Sequence, residues 1–185
     1  MNGLEHLSPA EVRATLTQSK VRELLDYDHA SGSLTWRPRP ERTYHDARWN
    51  RRFAGKVAGR VYPDGYLRFT LMGVPVIAHR LIWLYVHGEW PSGVIDHRDG
   101  NPINNRLSNL RLASVRDNTA NSKKRAGTSS RFKGVTWVKT HQKWKAAIEE
   151  RREVRFLGYF ETEEAAHAAY CVAARRAYGE FFRPE

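Results

Sequence analysis

Apolar residues in this chain come only in short runs, and that limits the size of every element it can form. The longest run, Val74–Val86, is broken by Pro75, His79 and Arg80. It is too short and too polar for a bilayer span, which needs about 20 consecutive apolar residues. Elsewhere short alternating segments are separated by Gly, Pro, Asn and Asp, a pattern that predicts modest strands and helices around small cores. A length of 185 residues fits one or two domains at roughly 100–200 residues each. The 41% hydrophobic and 11% aromatic content excludes wholesale disorder. The single cysteine, Cys171, excludes an internal disulfide framework and a Cys-cluster zinc site. The opening Met1-Asn-Gly-Leu-Glu-His6 lacks the charged-then-apolar pattern of a signal peptide, so the expectation is a soluble cytoplasmic protein.

A formal net charge of +11 bears on partners rather than on fold. Eight Lys/Arg lie between Trp36 and Arg60 against Glu41 and Asp46, and nine lie between Arg116 and Lys145 against Asp117. Aromatics are interleaved with both stretches: Trp36, Tyr44, Trp49 and Phe53, then Phe132, Trp137 and Trp144. Cations that neutralise phosphates release counterions, so nucleic acid is the expected partner, with a merely solvated basic surface as the plainer alternative. The candidate contacts in the first half of the chain are Arg37, Arg51, Arg52 and Arg106. Those in the second are Lys123, Lys124, Lys133, Lys139, Lys143 and Lys145.

Ser8-Pro-Ala-Glu11 reads as a capping box opening a helix that ends near Asp26. Asp28–Gly32 is a turn, Ser33–Trp36 a strand, and residues 37–53 a long basic loop. Strands are expected over Lys56–Tyr62, Tyr66–Met72 and Val74–Ile77, followed by an amphipathic helix over Ala78–His87 stopped by Gly88. Gly93–His97 and Leu110–Leu112 are short strands around a polar loop, and Ser114-Val-Arg-Asp117 caps a helix to about Arg125. Strands over Phe132–Val138, Trp144–Glu150 and Arg155–Phe160 precede a helix capped by Thr162 and ended by Gly179.

The chemistry concentrates between Val94 and Asn118. Phosphodiester hydrolysis needs a base for water and a cation for the charge that develops on oxygen. Asp96 offers a carboxylate oxygen and Asn118 an amide oxygen, both hard donors suited to Mg²⁺, and His97 can be a neutral base at cellular pH. Taken singly, Asp96-His97 is also ordinary turn chemistry, Asn109 a self-bonded loop residue and Asn118 a solvent-facing helix residue. Adjacent strand residues point to opposite faces, so Asp96 and His97 can share one cleft only if the strand end is distorted, and that distortion is expected. His79, on an apolar helix face, reads as a structural histidine, with phosphate contact or ligation as the alternative.

His79-Arg-Leu-Ile-Trp83, Asp96-His97, Asn101-Pro-Ile-Asn-Asn-Arg106, Asn109-Leu110 and Asn118 together resemble the HNH endonucleases, in particular the phage and intron-encoded homing group. The spacings agree with that group: 118 − 96 = 22 and 109 − 97 = 12. The resemblance implies a ββα-metal core in which Asp96 and Asn118 hold one Mg²⁺, with Mn²⁺ as substitute. It also implies that His97 activates water and that Asn109 fixes the loop orienting His97. Residues 131–182 resemble an AP2-type DNA-binding domain through Phe132-Lys-Gly-Val135, Lys143-Trp144-Lys-Ala-Ala-Ile148, Phe156-Leu-Gly-Tyr-Phe160 and the Glu163–Ala174 helix. Alternation places Val135, Ala146, Ile148 and Leu157 inward, and Lys133, Thr136, Val138, Lys145, Ala147 and Glu149 outward.

The resulting expectation is an α+β chain: a ββα-metal nuclease core plus a three-stranded antiparallel sheet packed on one helix. Residues 1–55 form an N-terminal helix and basic segment, 56–125 the nuclease domain, 126–130 a linker and 131–185 the AP2-like domain. The function read from it is metal-dependent cleavage of homing type, in the host cytoplasm if the gene is phage-borne, with double-stranded DNA as partner and no membrane or obligate protein partner. The alternatives are a DNA-binding regulator carrying an inactive core and an RNA-binding basic protein. The recognition site, nicking against double-strand cleavage, and monomer against dimer stay open.

Overall fold

The structure, a computed structural model, describes residues 14–122, 124, 127–150 and 153–184. The expected helix start at Ser8–Glu11, the helix end at Arg125 and the candidate contact Lys123 lie outside the described residues. The chain divides into two compact units, one through Leu112 and one from Ala113. The basic N-terminal segment and the strands of the nuclease motif therefore pack as one body. No helix among the described residues is long and apolar enough to cross a membrane.

In the first unit, helix α1 (Gln18–Leu24) is capped by the Thr17 side chain, which accepts from Lys20 N–H. The single long helix expected to run to Asp26 is thus cut short, and Leu25–Asp28 forms strand β1. It pairs antiparallel with β2 (Ser33–Trp36), Leu25 opposite Trp36 and Asp28 opposite Ser33. The burial of β1 alternates, which puts Leu25 and Tyr27 into the core. Residues 44–53, expected as loop, are helix α2 (Tyr44–Phe53), nucleated by a Thr43/Asp46 capping box.

Strands β3 (Arg60–Val61), β4 (Leu67–Leu71) and β5 (Val74–Ile77) form a meander. The first is far shorter than expected, because Lys56 and Ala58 bond to β2 instead. Helix α3 (Ala78–His87) follows directly and stops at Gly88, which adopts φ 83°. It buries Ala78, His79, Leu81, Ile82 and Leu84 against Leu25, Tyr27, Leu34, Leu71 and Ile95. Each fully buried leucine or isoleucine contributes about 1.5–3 kcal/mol. Strands β6 (Val94–His97) and β7 (Leu110–Ala113) make a two-stranded sheet at the edge of this core.

The second unit opens with α4 (Val115–Asn121), shorter than expected but started by the foreseen Ser114/Asp117 capping box. Strands β8 (Val135–Val138), β9 (Lys143–Glu150) and β10 (Glu153–Phe160) form an antiparallel sheet with β9 central. Helix α5 (Glu163–Tyr178), N-capped by Thr162, covers one face. Val135, Ala146 and Ile148 are buried beneath Ala166, Tyr170, Ala173 and Ala174, with Leu157 partly buried, as alternation requires. The small helix residues permit close approach. At Gly134 a Cβ would fall 2.1 Å from the Tyr170 ring.

Candidate active site

Strand β6 ends in three consecutive buried residues, Ile95, Asp96 and His97, which departs from simple in–out alternation. Asp96 is turned to β7: its Oδ2 accepts from Arg111 Nε at 2.8 Å, and both side chains are buried. His97 is turned to the following loop and to α3. Its Nε2 lies 3.0 Å from Asn105 Oδ1, and its ring meets His79 edge-on at 5.1 Å, with Tyr66 at 6.2 Å. An amide oxygen only accepts, so with Asn105 Oδ1 as its partner Nε2 is the donor of this hydrogen bond.

The loop between the strands is held by side-chain amides. Asn109, only 8% exposed, donates from Nδ2 to Asp99 Oδ1 at 2.9 Å and to Asn104 O at 2.8 Å, and its Oδ1 accepts from Asp99 N–H. Its carbonyl also accepts from Arg98 N–H at 2.8 Å. Burial pushes the Asp99 carboxyl up, but hydrogen bonds from Asn104, Asn101 N–H and Asn109 outweigh it and hold the group below its ordinary value. Asn109 thus joins both ends of the loop, while the contact to the His97 ring comes from Asn105, which is 1% exposed. Sequence reasoning missed Asn105. Nothing in residue type separates it from Asn101 or Asn104 in the same loop.

His79 is buried, and burial above all, with the neighbouring His97, Arg80 and Arg68, lowers it to about 3, so it is a neutral imidazole. Its Nδ1 has no hydrogen-bond partner among the described residues. It is therefore a core histidine as expected, though not a satisfied one. Asn118 belongs to the second unit, half-buried in the first turn of α4, where its N–H donates to Ser114 O at 3.0 Å.

Among the described residues no group of three or more His, Cys, Asp or Glu is placed to hold a metal ion. The donor chemistry of Asp96 nonetheless suits a hard divalent cation. Mg²⁺ is commonly held by one or two protein oxygens, with water and substrate phosphate completing its shell. Arg111 already balances the carboxylate charge.

The candidate DNA contacts fall into two groups. Arg51, Arg52, Arg106 and Lys139 are exposed and Lys124 and Lys145 half-buried, while Arg37 donates to Arg22 O and Lys143 pairs with Glu161 at 2.7 Å. Lys133 contradicts its expected outward orientation. It is 9% exposed, its Nζ donates to Ala120 O at 2.9 Å, and burial and Arg183 lower it to about 8. Lys133 lies two residues before the inward Val135, and residues two apart share a face, so its burial follows alternation rather than departing from it. In the first unit, Trp36, Trp49 and Phe53 line a groove of about 1140 Å³, with Arg39 stacked over Trp49 at 3.8 Å.

Comparison with known proteins matches residues 76–120 to the family model described as HNH endonuclease. "Protein 3.8" of Escherichia phage T7 is 39% identical over 71 residues, 38% of this chain and 59% of that protein. "Uncharacterized HNH endonuclease L560" of Acanthamoeba polyphaga mimivirus is 36% identical over 108 residues, 57% of this chain and 55% of that protein. The chain thus spans somewhat more than half the length of each relative. No solved structure matches. The matched segment contains α3, β6, the Asp99–Asn109 loop, β7 and most of α4, so an HNH endonuclease domain occupies the part of the chain that carries Asp96, His97, Asn109 and Asn118.

Proposed function

We propose that this chain is a metal-dependent DNA endonuclease of homing type, whose second unit is an AP2-like module that holds DNA. His97 is the general base, Asp96 and Asn118 the ligands of one Mg²⁺ (or Mn²⁺), and Asn109 the residue that fixes the loop. The observation that carries the reading is the His97–Asn105 hydrogen bond, inside a segment matching the HNH endonuclease family. With its proton on Nε2, the imidazole has Nδ1 as its basic nitrogen.

In the reaction, Nδ1 of His97 takes a proton from water as its oxygen attacks phosphorus in line. The P–O3′ bond breaks and the departing oxygen is protonated from solvent, leaving a 3′-hydroxyl and a 5′-phosphate. A divalent ion at Asp96 and Asn118 would supply stabilisation of charge on the phosphoryl and leaving oxygens. Exposed Arg51, Arg52, Arg106 and Lys139 supply phosphate contacts that position DNA without reading its sequence. The test is incubation of circular duplex DNA with the protein in EDTA, Mg²⁺ or Mn²⁺, followed by end-labelling of the products. The expected result is cleavage only with divalent ion and with 5′-phosphate ends. Binding without cleavage in every buffer would favour a DNA-binding regulator.

A further inference from the structure

The loop that presents Asn105 to His97 is gripped by a hairpin that lies some 70–80 residues earlier in the chain. Tyr27 on β1 is 8% exposed, and its hydroxyl bridges the loop. It donates to Asn105 O at 3.0 Å and accepts from Leu107 N–H at 2.9 Å. At the turn of the same hairpin, Arg106 Nε donates to Ala30 O. Gly32, at φ 77°, lies so close under the Asn105–Arg106 peptide that a Cβ would stand 2.4 Å from Arg106 N and 2.5 Å from Asn105 C. Three separate contacts from one hairpin thus converge on Asn105 and the two residues after it.

We infer that Asn105 and Tyr27 are positioning residues for the base: Tyr27 fixes the Asn105 peptide, and Asn105 Oδ1 holds His97 in the Nε2–H tautomer, which makes Nδ1 the basic nitrogen. The inference rests on the reading of His97 as base. Its physical basis is that a neutral imidazole has two tautomers, and the hydrogen bond at one nitrogen selects which nitrogen stays basic. Orientation of a reacting group is worth a large part of a rate enhancement, and small misplacements cost about 100-fold. A hydroxyl that bonds both Asn105 O and Leu107 N–H removes the loop's freedom to rotate Oδ1 away. The hairpin is not an independent DNA-contacting arm in this arrangement. It is the back wall of the catalytic loop.

The experiment uses the full chain with four variants: Tyr27→Phe, which removes only the hydroxyl, Asn105→Asp, which keeps an acceptor, Asn105→Leu, which keeps volume without one, and His97→Gln to assign resonances. Two readouts are taken. Nitrogen-15 imidazole shifts at pH 8 report the His97 tautomer without any need for activity. Cleavage kinetics on duplex DNA with Mn²⁺ separate kcat from KM. The wild type and Asn105→Asp are expected in the Nε2–H form, and Asn105→Leu and Tyr27→Phe in a mixture of tautomers. In the latter two, kcat falls by about 10- to 100-fold with KM within about twofold. Equal tautomers and rates in wild type and Tyr27→Phe would overturn the role of Tyr27. Equal losses in Asn105→Asp and Asn105→Leu would reduce Asn105 to packing and overturn its role. If the wild type cuts no DNA yet shows the tautomer pattern, the nuclease reading fails while the positioning geometry stands.

Discussion

Asp96 and Arg111 meet at 2.8 Å on neighbouring strands with almost no exposure to solvent, so the acid of the site is stored as a buried ion pair. Such a pair adds little over an apolar substitute, but removal of one member leaves a buried charge unbalanced, at about 3–5 kcal/mol. Arg111→Met is therefore expected to lose stability on that scale in urea titrations without divalent ion. The double variant Asp96→Asn/Arg111→Met should lose less than Arg111→Met alone. Stability of Arg111→Met within about 0.5 kcal/mol of wild type, the range of an ordinary surface change, would show that the pair is not coupled.

His79 gives the fold a pH dependence of definite sign. Its folded pKa, about 3, lies below the ordinary value of 6.5, so the unfolded chain takes up the proton first. The contribution is fully present above about pH 6.5 and is lost as pH falls toward 3, with a slope of at most about 1.4 kcal/mol per pH unit. Denaturant midpoints measured from pH 7 to 5 should fall in the wild type and flatten in His79→Phe. Parallel curves for the two proteins would rule out a buried neutral imidazole.

The surface cations should separate in salt titrations of DNA binding. An exposed lysine that neutralises one phosphate contributes about one unit to the slope of log K against log salt. Lys139→Ala and Arg52→Ala are expected to reduce the slope by about one unit each. Lys133→Ala should leave it unchanged, because its ammonium is committed to Ala120 O. A reduced slope in Lys133→Ala would put that lysine back on the DNA-facing surface.

Gly32→Ala places a methyl group against the Asn105–Arg106 peptide at a residue with positive φ. A loss of more than about 1 kcal/mol is expected, since both backbone strain and steric overlap oppose it. Thermal denaturation with a wild-type midpoint would mean that the hairpin does not press on the loop.

Much of the local structure was legible because local chemistry decides it. Helix α3 has the bounds its pattern predicts, Ser114 and Asp117 cap α4, and the inward residues of the second sheet follow alternation. Helix α2 carries the same kind of cap, Thr43 with Asp46, yet reads as loop because Pro38, Pro40 and the density of arginines dominate the segment. The site was legible only in part. Asp96, His97 and Asn109 stand out by type and spacing, and all three are buried around one loop and strand pair. Arg111 sits between Leu110 and Leu112, where alternation would turn it outward, and only the demand of a buried carboxylate brings it in. The Tyr27–Asn105 bond joins residues 78 apart, a relationship that no local pattern encodes.

Cleavage of supercoiled plasmid in Mg²⁺ by the wild type and by His97→Ala, with DNA affinity measured in parallel, reaches the core of the matter. The expected result is nicked or linear DNA from the wild type and intact plasmid from His97→Ala, at equal affinity. Cutting by His97→Ala at the wild-type rate would contradict the assignment of the base. An intact plasmid with both proteins would contradict the nuclease itself.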